Sequence, residues 1–283
     1  MKITEKVTTL QQELNAASGS VVGFVPTMGA LHAGHIALVD RARRECDVVV
    51  VSIFVNPTQF NDANDLKHYP RTLEADCKLL EAAGVDVVFA PSVEEIYPQQ
   101  DDRVFDLAGV DKPMEGASRP GHFNGVAQVV SRLFEIVKPT RSYFGQKDFQ
   151  QVAVIGAMMR ECKTKCEIVT VETVRESSGL ALSSRNQLLT AEHKAAAPLI
   201  YKALSEAANS VNIDSVGTKS VAEVIEQVCS RIGECELLEV VYFAVVDATT
   251  MQSIEEWSQA ESIQGCIAVK AGAVRLIDNI KLK

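Results

Sequence analysis

Two hydrophobic patterns alternate along the first 175 residues of the chain. Apolar runs stand at 21–25 (VVGFV) and 47–55 (DVVVVSIFV), and further short strands are read at 85–90, 141–145 and 166–172. Such runs, with no strict polar alternation, suit parallel strands covered on both faces. Between them apolar residues recur every three to four positions, which predicts helices at 3–17, 36–46, 71–83, 126–137 and 149–162. In the fourth of these, Val126, Val129, Val130, Leu133, Phe134 and Val137 form one stripe, with Pro139 just past its end. Gly84 stands where the third helix needs a C′ residue. Strand and helix in alternation predict an α/β domain built on a doubly wound parallel sheet. Right-handed crossovers put the turns that follow strands at one edge of such a sheet, where ligands bind. The turns at 26–35, 56–60 and 145–148 are therefore expected to converge on one crevice. The stretch 92–121, rich in Pro, Gly and Asp, reads as an irregular flap.

The texture changes after residue 175. Residues 176–179 (ESSG) read as a linker, followed by a helix at 191–209 that contains Pro198 and another at 221–232. Strands are expected at 237–246, 267–270 and 274–277, around a short helical piece near Trp257. The pattern thus divides the chain into a domain at 1–175 and a smaller C-terminal α+β domain at 176–283.

Composition narrows the field. Against 28 Lys and Arg there are 37 Asp and Glu, a net charge of −9, so the chain is a poor general partner for nucleic acid. No apolar run is long enough to span a bilayer, and the first residues lead into no signal-peptide core, so a cytoplasmic protein with no membrane partner is expected. The seven cysteines are an odd number with no CxxC pair, and no histidine cluster stands by Cys162 and Cys166 to complete a zinc site. Reduced thiols are the expectation.

The most informative stretch is 26–35, PTMGALHAGH, which joins the first long apolar run to a helix. A helix start has unpaired N–H groups and the positive end of the dipole, which favours phosphate. No GxGxxG occurs, so a dinucleotide fingerprint has no support. Gly29 and Gly34 have the GxxxxG spacing of a P-loop, but His35 and Ile36 stand where Lys and Ser or Thr would be required. Two imidazoles remain, His32 and His35, three residues apart and able to share one face. A positioned imidazole can donate to a phosphate whose charge grows in a transition state.

His32-Ala33-Gly34-His35 resembles the HxGH signature of a nucleotidyltransferase superfamily. The longer string VPTMGALHAGH (25–35) is similar to the pantoate–β-alanine ligase (pantothenate synthetase) family. So are SIFVNPTQF (52–60), YPRTLEADC (69–77), FAPSVEEIYP (89–98), EGASRPGHFNGV (115–126), FGQKDFQQ (144–151) and GLALSSRN (179–186), with a weaker echo in VRLIDN (274–279). The resemblance implies a Rossmann-like nucleotide- and pantoate-binding domain followed by a lid domain. It implies two steps: ATP adenylates the pantoate carboxylate and releases pyrophosphate, and the β-alanine amine then displaces AMP to give pantothenate. It places His32 and His35 at the phosphates, with His35 as proton donor, and Lys147 near the α-phosphate. Met28, Gly29, Ala30, Leu31, Ala33 and Gly34 would also hold the nucleotide, as would Gly145, Gln146, Asp148, Val174 and Leu182. Ser183, Ser184 and Arg185 would clamp the phosphates, Arg185 as a catalytic group. Gln59 and Gln151 would recognise pantoate, and Gln59 would also lie near β-alanine. Mg2+ would arrive with ATP, and Asp76 would be its candidate outer contributor. A homodimer through the N-terminal domain is implied as well.

Two departures stand out: Gln146 where the family pattern has Glu, and Thr58 where it has Met. Arg119 and His122, in the flap, read either as part of a closing lid or as an interface. An adenylyltransferase that stops at the nucleotidyl product is the competing enzyme reading. A nucleotide-binding paralogue without catalysis would be expected to lose a histidine, Lys147 or Arg185, and all are present.

Overall fold

The computed structural model describes residues 1–61, 63–211 and 219–283. The chain divides into two compact units, Met1–Gln146 with Val154–Glu172, and Lys147–Ala153 with Thr173–Lys283.

In the first unit, among the described residues, six strands make one parallel sheet: β1 (Lys2–Thr4), β2 (Val22–Thr27), β3 (Val48–Ile53), β4 (Val87–Phe89), β5 (Arg141–Gly145) and β6 (Glu167–Val171). Their order is β1-β4-β3-β2-β5-β6. The chain leaves β2 toward β3 and β4 on one side, then returns to lay β5 on the other side of β2. The sheet's switch point therefore lies between β2 and β5, and the carboxyl ends of β3, β2 and β5 share one edge.

The helices are α1 (Val7–Ala16), α2 (Ala33–Glu45), α3 (Ala63–His68), α4 (Leu73–Ala82), α5 (Val93–Ile96), α6 (Glu115–Ser118), α7 (His122–Val137) and α8 (Phe149–Cys162). Helix α7 is buried almost all round, at Phe123, Val126, Ala127, Val129, Val130, Leu133, Phe134, Ile136 and Val137. Each large apolar side chain buried this way contributes roughly 1.5–3 kcal/mol. One cluster unites Val25, Val49 and Val51 of the sheet with Leu38, Val39 and Ala42 of α2 and Leu80 of α4.

Several boundaries differ from the sequence expectation. Residues 2–4 are an edge strand rather than a helix start, and only Thr4 of the three is buried, so no apolar run marks it. Helix α2 begins at Ala33, inside the HAGH string, because His32 caps it. Helix α7 begins at His122, where Gly121 at φ +80° turns the chain into it. The flap at 92–121 contains the two short helices α5 and α6.

The second unit packs α9 (Ala191–Ala196), α10 (Pro198–Ser210) and α11 (Val221–Gly233) with an antiparallel sheet, β7 (Leu238–Asp247), β8 (Ile263–Ala271) and β9 (Val274–Lys281), in the order β7-β8-β9. The single helix expected at 191–209 is two, because Pro198 has no N–H to continue the ladder and instead starts α10. Ile200, Leu204, Val224, Val228, Ile232, Val245, Ile267 and Val269 are in the core of this unit.

Candidate active site

The 26–35 turn follows β2 directly. Gly29 and Ala30 both have positive φ, +82° and +51°. A Cβ at Gly29 would stand 3.0 Å from Ile53 Cγ2 and 3.1 Å from Asp76 Oδ2, so the turn needs glycine on both counts. Ala30 in this region costs about 1–2 kcal/mol. The hydrogen bonds that hold the turn offset that cost: Ala30 N donates to Asp76 Oδ2 at 3.0 Å and Leu31 N to Asp76 Oδ1 at 2.8 Å. Asp76, on α4, is buried and also accepts from Thr72 Oγ1 at 3.1 Å.

His32 and His35 make a capping box out of imidazoles. Gly34 N donates to His32 Nδ1 at 3.1 Å, and His32 N donates to His35 Nδ1 at 3.2 Å. The ring centroids lie 4.1 Å apart. A ring nitrogen that accepts carries no proton, so each ring carries its proton on Nε2. Gly29 N donates to Thr27 Oγ1, and His35 N and Ile36 N both donate to His32 O. The open amide donors expected from the sequence are thus largely taken by the chain itself. Each imidazole keeps one N–H of its own, at Nε2.

The turn after β3 is a short 3-10 helix, Pro57–Gln59, capped by Asn56. Asn56 is 1% exposed and gathers the neighbourhood: its Nδ2 donates to Gly125 O at 3.1 Å and Tyr97 donates to its Oδ1 at 3.1 Å. Burial pushes the Tyr97 phenol up, which keeps it a donor. Gln59 is buried, and its Nε2 lies 3.0 Å from Met28 Sδ, so the ends of β2 and β3 meet through these two side chains. Gly125 of α7 is packed so close that a Cβ there would come 2.5 Å from Thr58 O. His122 donates from Nδ1 to Gln59 O at 2.7 Å, and Arg119 Nη1 donates to His122 Nε2 at 3.1 Å. Arg119 and His122 therefore brace the Gln59 turn from the start of α7.

In the second unit, Lys147 and Asp148 lie in the 3-10 turn Gln146–Asp148 that leads into α8, both half-buried. Gln150 is buried and Gln151 half-buried. Leu182 N donates to Val174 O at 2.9 Å, and Arg175 and Ala181 form an isolated antiparallel bridge, so 174–182 closes as a small hairpin. Ser183 caps the 3-10 helix Ser184–Leu188 by accepting from Arg185 N at 3.3 Å. Asn186 is buried and donates to Ala181 O at 3.0 Å, tying the SSR segment to that hairpin.

Among the described residues, no group of three or more His, Cys, Asp or Glu is gathered that could hold a metal ion. Asp76, the candidate outer contributor, has both carboxylate oxygens on donors of its own unit, the amides of Ala30 and Leu31 and the Thr72 hydroxyl. Asn56 and His122 carry no signal in the hydrophobic pattern. Asn56 has one indirect mark, since Asn before Pro at a strand end favours a capped turn.

The fold and this turn define a class: a Rossmann-like α/β protein with paired imidazoles at a helix start beside the switch point of its sheet. The family profile described as pantoate-beta-alanine ligase matches residues 2–281. The pantothenate synthetase of Bacteroides fragilis is 53% identical over 285 residues, covering 100% of this chain and 99% of that one. The crystal structure of pantothenate synthetase from Thermus thermophilus superposes with a TM-score of 0.91 at 44% identity, covering 100% and 99% of the two chains. A pantoate-beta-alanine ligase structure from Francisella tularensis, complexed with beta-gamma ATP and beta-alanine, gives a TM-score of 0.78 at 35% identity over 100% and 98%. The chain belongs to the pantoate-beta-alanine ligase family.

Proposed function

We propose that this protein joins pantoate to β-alanine at the expense of ATP through a pantoyl-adenylate. In the first step a pantoate carboxylate oxygen attacks the α-phosphorus, and the bond to pyrophosphate breaks. In the second the β-alanine amine attacks the acyl carbon, the bond to AMP breaks, and the amine gives up a proton. A carboxylate is a poor acyl donor, and AMP is the leaving group that cures this. The first step is a phosphoryl-type displacement, so catalysis rests on positioning and on neutralising charge.

The observation that carries this reading is the imidazole capping box. Its backbone caps hold His32 and His35 as Nε2–H donors at the positive end of α2, suited to phosphate oxygens in the transition state. Met28, Gly29, Ala30, Leu31, Ala33 and Gly34 line the nucleotide in the same reading, with Gly145 and Gln146 at the end of β5. Gln59 takes pantoate and lies beside the β-alanine, since an amide donates and accepts without adding charge. In the second unit Lys147 reaches the α-phosphate and Asp148 the ribose, with Val174 and Leu182 beside the nucleotide. Ser183, Ser184 and Arg185 clamp the phosphates and Gln151 binds pantoate. Magnesium belongs to the ATP substrate as its phosphate counterion, and no protein ligand set is assigned to it. A homodimer in the cytoplasm completes the proposal, supported by the family resemblance of the N-terminal motifs.

The test is His35→Ala, with folding checked by circular dichroism. Pyrophosphate release from ATP and pantoate is expected to slow by about 10²–10³-fold, the usual loss for one charge-stabilising donor. A near-normal rate would refute the role given to the turn.

A further inference from the structure

The last strand, β9, alternates buried and partly exposed positions from Val274 to Ile277 and then breaks the pattern. Asp278 and Asn279 are consecutive, polar and each 5% exposed. Successive strand residues face opposite sides, so two buried polar groups in a row need separate partners, and burial without them is costly. Both have partners. Arg175 grips Asp278 with two bonds, Nη1 to Oδ2 at 2.6 Å and Nη2 to Oδ1 at 2.9 Å. Its guanidinium carbon stands 3.6 Å from the centre of the Tyr201 ring, and its Nη1 also donates to Gly179 O at 3.2 Å. Asn279 Nδ2 donates to the backbone carbonyl of Lys147 at 2.9 Å. Its Oδ1 accepts from Gln264 Nε2, of a residue 2% exposed, at 2.7 Å, and its N–H donates to Asp278 Oδ1 at 2.8 Å. A carbonyl only accepts, so the bond to Lys147 fixes which end of the amide faces it, and the bond from Gln264 fixes the same orientation from the other side.

We infer that Asn279 is the positioning residue for Lys147. This rests on the role proposed for Lys147 at the α-phosphate and identifies what holds that lysine in register. A 3-10 turn at a strand end has few ladder bonds of its own, and a buried amide anchored by Gln264 and by the Arg175–Asp278 pair gives the turn a fixed base. Arg175 of the same pair also holds Gly179, in the hairpin that leads to Ser183, Ser184 and Arg185. The C-terminal VRLIDN string thereby acquires a role in the reaction without touching substrate.

A double-mutant cycle on the full-length protein, read as kcat and KM for pyrophosphate release, tests this. Asn279→Ala is expected to lower kcat about 10-fold with KM for ATP little changed, since a small displacement of a catalytic group costs rate. In a Lys147→Ala background the same substitution is expected to change nothing further, because it acts only through the lysine. An equal loss in both backgrounds would refute the positioning role while leaving Lys147 in place. A wild-type rate in Lys147→Ala alone would refute the assignment of Lys147, and the inference with it. Should Asn279→Ala fail to fold, Asn279→Asp keeps the shape and the acceptor for Gln264 but faces the Lys147 carbonyl with a carboxylate. Its rate relative to the parent protein is expected to rise toward acid pH, where the protonated carboxyl donates again. A ratio flat in pH would overturn the inference.

Discussion

A histidine that accepts a hydrogen bond at Nδ1 has one place left for its proton. At the start of α2 this holds for both His32 and His35, and in each case the donor is a backbone N–H of the turn itself. Protonating either ring at Nδ1 would put two donors face to face and break the cap, which is typically worth about 1 kcal/mol. Long-range 1H–15N spectra of histidine-labelled protein at neutral pH are therefore expected to show both rings as the Nε2–H tautomer. An Nδ1–H signal from either ring would contradict the geometry. The residue types and their spacing are legible in the sequence. The capping box is not, since it depends on ring orientation, and sequence patterns place only Ser, Thr, Asp or Asn in that role. Asp76 shows the same limit: its position in YPRTLEADC marks it, but only the fold brings its carboxylate to the amides of Ala30 and Leu31, 46 and 45 residues earlier in the chain.

Elements are legible where burial writes a pattern. Strands β2 and β3 and helix α7 are buried along most of their length, and their apolar runs are the clearest in the chain. Strand β1 has two of three residues exposed and is made by pairing with β4, which no local pattern records. Helix α1, which follows β1, begins at a contact with α5: Val7 N donates to Glu95 Oε1 at 2.7 Å, and Lys6 pairs with Oε2 at 3.0 Å. The Val7 amide foremost, then Lys6, holds the Glu95 carboxyl below its ordinary value. A carboxyl lowered in the folded state contributes stability above its unfolded value, about 4.3, and loses it as pH falls through the folded value. Thermal melts are expected to show Glu95→Gln closing its gap to the parent protein as pH drops below about 4. A gap that stays constant from pH 7 to pH 3 would show that the carboxylate does not hold this end of α1.

Across the whole chain, the residues proposed for the reaction come from motifs far apart in sequence: His32, His35 and Gln59, then Lys147, Gln151 and Arg185. That distribution explains why motifs in order are more informative here than any single cluster. The Gly29–Gly34 spacing alone fits a P-loop as far as its glycines go, and only the missing Lys-Ser/Thr pair excludes it. The antiparallel sheet of the second unit is readable as three strands, but β8 runs from Ile263, four residues ahead of the expected start, because Gln264 is a buried polar residue that interrupts the apolar signal. The buried amides Gln264 and Asn279 look unfavourable in a strand until their partners are in view: Gln264 donates to the Asn279 side chain, and Asn279 donates to the Lys147 carbonyl. An acyl-adenylate intermediate leaves its mark in where the carboxylate oxygens end up. With pantoate labelled in both carboxylate oxygens, ATP and β-alanine, mass spectrometry is expected to find one labelled oxygen in each AMP formed and the other in pantothenate. AMP without label, or ADP as the nucleotide product, would contradict the adenylate route.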